Sequence, residues 1–168
     1  MAFKLLIINV AMNKSNLDTP KYSIGTVARM LGVSVQTLRM YESEGLILTF
    51  KTPGSQRLYS DADIERIECI RKAINEEKIS IAGIKRIHSM IPCWNIVQCS
   101  EEERKALYNF RSHTGGCWTH KNEYLICSSR DCRLCEVYKL SSRCDQVKEQ
   151  IYKLDHSFTE QPFLAVTL

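Results

Sequence analysis

Between Tyr22 and Ile91, apolar residues recur at the three- and four-residue spacing of helices that bury one face. Ile24, Val27, Ala28 and Leu31 form the first stripe, with Ser23 as its cap and Gly32 as its stop. Ser34 then caps VQTLRMYESEG, whose inward face is Val35, Leu38 and Met40 or Tyr41, and Gly45 closes it. Two short helices around LGVS predict a helix-turn-helix, although an αα-hairpin without a DNA role has the same pattern. LILTFKTPGSQRLYS follows. Its β-rich run, Pro53-Gly54 turn and second short run predict a hairpin, or wing, beside the second helix. Asp61 is expected to cap a third helix with Ile64, Ile67, Ile70 and Ile74 inward, and Cys69 beside that stripe reads as a small core or boundary residue. Ser80 caps a fourth helix through Met90, with Ile81, Ile84, Ile87 and Ile91 inward and His88 partly exposed.

Pro92 and Cys93 stop this pattern. The next 45 residues carry cysteines at 93, 99, 117, 127, 132 and 135 among Gly, Ser and His, with one short helix expected in SEEERKALYNF. After the last of these thiols, Val137, Leu140, Cys144, Val147, Ile151, Leu154 and Phe158 fall at spacings of 3, 4, 3, 4, 3 and 4. This is an a/d heptad, which suits either a helix packed on its own domain or a short dimer coiled coil; the second is expected here. The chain is therefore expected to be mainly α. It divides into a disordered lead (1–21), a winged helix-turn-helix (22–91), a cysteine-rich module (92–136), a dimerisation helix (137–158) and a tail (159–168).

Charge sharpens the reading of the first domain. The chain carries a net charge of +4, which permits a nucleic-acid partner without requiring one. Between residues 21 and 60, however, Lys21, Arg29, Arg39, Lys51 and Arg57 oppose only Glu42 and Glu44. A helix-plus-wing unit with this surplus suits a phosphate-facing surface. FKLLIINVA near the start is far shorter than the roughly 20 residues of a membrane span and lacks the marks of a signal peptide. Met12 offers an alternative start. The expected compartment is the cytoplasm, at the bacterial nucleoid, where thiols stay reduced. The eight cysteines then read as metal ligands, redox sensors or core residues.

The stretches YSIGTVARMLGVSVQTLRMYESEGLI, GSQRLYSDADIERIECI and KISIAGIKRIHSMI resemble, in that order, the DNA-binding domain of MerR-family transcriptional regulators. The resemblance implies that Ser34, Gln36, Thr37 and Arg39 lie on or near the groove-facing side of the recognition helix. It implies that Tyr41 contacts or stacks beside the backbone, that Tyr22 and Arg57 hold phosphates, and that Tyr59 packs the wing. Where the family often has two tyrosines after TLR, this chain has Met40 and then Tyr41. The family binds double-stranded promoter DNA as a homodimer and bends and untwists it, acting on RNA polymerase indirectly; such readout is of DNA shape.

PCWNIVQC and GCWTHKNEYLIC form an internal Cys-Trp repeat. With the final Cys132-x2-Cys135 they resemble small bacterial modules with two Cys-Trp motifs, although a cysteine expected near Leu107 is absent. A loop-rich segment of this size normally needs a metal or crosslinks to hold it. Cys132 and Cys135 can chelate one ion from a tight turn, Cys127 extends them to a triplet, and Cys93, Cys99 or Cys117 supplies a fourth ligand. Spacing leaves an iron–sulfur cluster, structural zinc and a reversible dithiol switch open. His113 and His120 read as loop residues. No phosphate loop, catalytic triad or paired-acid site stands out, so an enzyme is not expected. Two rivals to a sensing regulator remain: an iron–sulfur electron-transfer protein with a borrowed helix-turn-helix, and a non-sensing DNA binder with structural zinc.

Overall fold

The computed structural model describes residues 17–97, 100–102, 115–120 and 131–142. They fall into two compact units, the first ending at Glu68 and the second beginning at Cys69.

In the first unit, strand β1 (Tyr22–Ser23) leads into helix α1 (Ile24–Leu31), and α2 (Val35–Ser43) follows after a tight turn. Local chemistry sets that turn. Ser23 accepts the Thr26 N–H at 3.2 Å to open α1. Gly32, at φ 60°, closes it in the left-handed conformation that a Cβ penalises. Val33 N–H then reaches back to the Ala28 carbonyl at 3.0 Å, and Ser34 accepts the Thr37 N–H at 2.9 Å to start α2. Gly45, at φ 69°, ends α2 in the same way.

Strands β2 (Phe50–Lys51) and β3 (Arg57–Tyr59) form the wing, with Phe50 opposite Leu58 and Lys51 opposite Arg57. The sheet has a third strand that the hydrophobic pattern does not predict. β1 pairs antiparallel with β3, Tyr22 opposite Tyr59, to give the order β1-β3-β2. Order therefore reaches back to Lys21, inside the segment expected to be a disordered lead: its N–H donates to the Tyr59 carbonyl at 2.9 Å. Residues 1–16 lie outside the described residues.

Helix α3 (Asp61–Asn75) begins differently from expectation. Ser60, not Asp61, caps it. Asp63 Oδ2 accepts both the Ser60 N–H and its hydroxyl at 2.8 Å, and the Asp63 N–H donates back to Ser60 Oγ at 3.2 Å. Asp61 is thereby free to pair with Lys21 Nζ at 2.6 Å. Val27, Leu38, Leu46, Ile47, Tyr59 and Ile67 form the tightest part of the core, each no more than 1% exposed. Arg66 is also buried, at 1% exposure, its Nε donating to the Leu46 carbonyl at 2.7 Å.

The second unit holds the end of α3, α4 (Ile81–Ser89), α5 (Cys93–Ile96), two 3-10 turns (Cys117–His120 and Cys132–Leu134) and α6 (Glu136–Leu140). On α4 the expected inward stripe is corrected at one position. Ile87 is 42% exposed, whereas His88 is 7% exposed and buried with Ile84 and Ile91. Both 84-87-91 and 84-88-91 fit a helical face, and packing on an aromatic ring selects the second. That ring is Trp118, which lies 5.3 Å from His88 and edge-on to Tyr138 at 5.1 Å. The helix expected from Val137 begins at Glu136, and its described part closes at Leu140. Val137 is 2% exposed within this single chain. Cys144, Val147, Ile151, Leu154 and Phe158 lie outside the described residues, as do Cys99, Cys127 and His113. Among the described residues no helix is long and apolar enough to cross a membrane.

Candidate functional site

The outer face of α2 follows from its register. Leu38 and Tyr41, three apart, turn inward and are buried. Ser34, Gln36 and Arg39 are therefore left exposed, with Thr37 half-buried beside them. Among the described residues no carboxylate pairs with Arg39. Tyr41 departs from the expected role at the DNA backbone: it is 4% exposed and forms part of the core. Tyr22 is half-buried on β1, with Lys21 Nζ 5.1 Å from its ring centroid. Tyr59 packs completely inside, and burial pushes its phenol up to about 12.

The wing is fixed to α2 by Glu42. Its carboxylate accepts Arg57 Nε at 2.6 Å and the Thr49 hydroxyl at 2.9 Å, with Lys51 Nζ at 3.7 Å. Partial burial pushes the Glu42 carboxyl upward. The Arg57 and Thr49 hydrogen bonds and the two cations outweigh that and hold it below its ordinary value. The same hydrogen bond raises Arg57. Sequence reasoning counted Glu42 only as an opposing charge. Its partners on the wing sit 15 and 9 positions away in the chain, so no local pattern shows the clamp. Arg57, expected to hold phosphate, is thus committed in part to orienting the wing, and Arg39 is the more available cation for a ligand.

In the second unit, Cys93 opens α5 and is 9% exposed, and Cys117 opens the first 3-10 turn and is half-buried. The Cys117 side chain and backbone N–H groups hold Cys93 below the ordinary thiol range against the upward push of burial. Cys132 and Cys135 are half-buried on the turn that enters α6. None of these four is in a disulfide. Among the described residues, no three His, Cys, Asp or Glu side chains converge to hold a metal ion. Cys69, read from sequence as a packing residue, is disulfide-bonded.

A helix-turn-helix whose second helix is exposed on one face and braced by a two-stranded wing defines the first unit as a winged helix-turn-helix domain. Residues 22–90 match the MerR HTH family regulatory proteins, and this segment is a MerR-family domain. The chain is 43% identical over 70 residues to the Streptomyces coelicolor protein named for heat shock, HspR, covering 42% of this chain and 46% of that one. It is 40% identical over 95 residues to the mercuric resistance operon regulatory protein of Pseudomonas fluorescens, covering 55% and 65%. To the regulator GlnR of Bacillus anthracis it is 28% identical over 76 residues, covering 45% and 58%. The chain thus spans about half to two thirds of the length of these relatives. No solved structure matches it.

Proposed function

We propose that this protein is a transcription regulator that binds promoter DNA as a dimer, distorts it, and uses its cysteine-rich segment to sense a chemical signal. The observation that carries the DNA-binding reading is the exposed Ser34-Gln36-Arg39 face of α2 beside a wing clamped through Glu42 and Arg57. A helix presented in this way fits the major groove, and the flanking cations suit the phosphates. Relatives named as regulators over the same segment support it. Dimerisation is supported by the heptad from Leu140 through Val147, Ile151 and Leu154. The concentration of thiols beside that heptad supports a sensing role, and readout through DNA shape would join the two.

The test is selection of bound duplexes from a random library by the full chain, followed by anisotropy titrations on the enriched site. Specific binding that Arg39→Ala weakens about 10-fold or more, with the fold intact by circular dichroism, supports the reading. Equal affinity for enriched and scrambled duplexes overturns it. Sedimentation of Ile151→Glu tests the dimer, which is expected to become monomeric.

A further inference from the structure

The polar side chains on α2 divide by what the fold already asks of them. Ser34 and Thr37 are committed to the cap: their hydroxyls share a hydrogen bond at 2.8 Å, and Ser34 Oγ also accepts the Thr37 N–H. Glu42 is committed to the wing through Arg57 Nε at 2.6 Å. The Ser43 hydroxyl donates to the Met40 carbonyl at 2.9 Å, and Tyr41 lies in the core. Gln36 and Arg39 remain. Both are exposed, and among the described residues neither makes a hydrogen bond or an ion pair. They sit one turn apart. At about 100° per residue, their common direction lies almost opposite that of the buried Leu38 and Tyr41. Gln36 and Arg39 therefore form the crest of α2, the part that enters deepest when the helix lies in a groove, whereas phosphates line the rims of that groove.

We propose that Gln36 and Arg39 select the bases of the target site, Arg39 taking a guanine and Gln36 an adenine one or two base pairs away. This assignment rests on the DNA-binding reading of α2 and adds to it which bases are chosen. Arginine carries donors only, set in a planar fork, so it needs two acceptors side by side. In the major groove guanine alone offers that pair, at N7 and O6. Glutamine carries an amide donor and a carbonyl acceptor. Its N–H donates to adenine N7 while its carbonyl accepts from the N6 amino group. The spacing of the bases follows from the helix. Residues three apart are separated by about 4.5 Å along the axis, against about 3.4 Å per base pair, so the two side chains meet adjacent or next-adjacent pairs. Charge for the phosphates comes from the wing, where Lys51 is exposed, and such contacts set register without choosing sequence.

Duplexes are selected from a random library by the full chain and by its Gln36→Ala, Gln36→Glu and Arg39→Ala variants. Arg39→Ala should lose the preference for G·C at one base pair, and Gln36→Ala the preference for A·T at a pair one or two steps away, with the rest of the motif retained. Each change should narrow discrimination at its own pair by roughly 5- to 150-fold. Gln36→Glu should move the choice from adenine to cytosine, whose N4 amino group donates to a carboxylate. The wild-type chain is also titrated with duplexes carrying base analogues, which needs no variant to fold. Inosine keeps guanine N7 and O6 and should bind equally well, whereas 7-deazaguanine lacks N7 and should bind about 5-fold or more weakly. Variants that weaken all sequences equally, or a site indifferent to 7-deazaguanine, overturn the base assignment in favour of phosphate contacts and leave the regulator reading standing. A wild-type chain that enriches no duplex overturns both.

Discussion

Tyr59→Phe removes one oxygen from the most buried aromatic side chain of the first unit. Tyr59 is 0% exposed, and its hydroxyl has no hydrogen-bond partner among the described residues. A buried polar group left unpaired costs about 1–3 kcal/mol, whereas a Tyr→Phe change that breaks a real hydrogen bond loses about 1 kcal/mol. The sign of the effect therefore reports on the packing. Phenylalanine keeps the ring and its contacts, so we expect a gain of about 1 kcal/mol at neutral pH, or roughly 4 °C in Tm for a domain of this size. The gain should depend on pH. The phenol is pushed up to about 12 from its ordinary 10.0, because burial disfavours the phenolate. A raised value means that this contribution is fully present below pH 10 and is lost as the pH rises towards 12, since the unfolded chain releases its proton first. At about 1.4 kcal/mol per unit, that loss reaches on the order of 2–3 kcal/mol. The advantage of Phe over Tyr should therefore widen between pH 10 and 12. Urea denaturation of the two proteins at pH 7 and pH 10.5, followed by circular dichroism, measures it. A destabilised Tyr59→Phe protein, or a difference independent of pH, would refute the reasoning by showing that the hydroxyl is paired or wet.

The remaining predictions concern the site and its scaffold. Glu42→Gln should cost about 1 kcal/mol of stability by loosening the wing. It should also steepen the salt dependence of DNA binding, because Arg57 and Lys51 are released towards phosphate; an unchanged slope in a log–log titration would count against the clamp. Held below 4.5, the Glu42 carboxyl contributes stability above that pH and loses it as the pH falls through its lowered value; wild type minus Glu42→Gln in an acid titration isolates this term. Gly32→Ala has room for its methyl but must adopt φ 60°, so thermal denaturation should show a loss of about 1 kcal/mol from backbone strain. Gly116→Ala should displace the Trp118 ring and change its fluorescence, and an unaltered spectrum would show that the indole does not rest on that glycine.

Much of the first unit is written locally. Ser23, Gly32, Ser34 and Gly45 act on backbone groups within five residues of themselves, so the boundaries of α1 and α2 can be read by eye, and with them the exposed side of α2. The wing is legible through its Pro53-Gly54 turn for the same reason. What the pattern could not decide are choices between equivalent local solutions. Either Ile87 or His88 can face inward on α4, and only the Trp118 ring, brought from 30 residues away, selects His88. Ser60 and Asp61 are both competent caps, and the reach of Lys21 across the sheet draws Asp61 off. Tyr41 reads as a surface residue from the family resemblance, yet it completes the core. Arg57 and Glu42 are just two opposite charges in the sequence, and packing of the wing against α2 makes them a clamp. Likewise, eight cysteines in the chain permit many pairings. Hydrophobic periodicity does not choose among them; long-range packing determines which distant side chains share a space, as it does where Trp118 meets His88 and Tyr138.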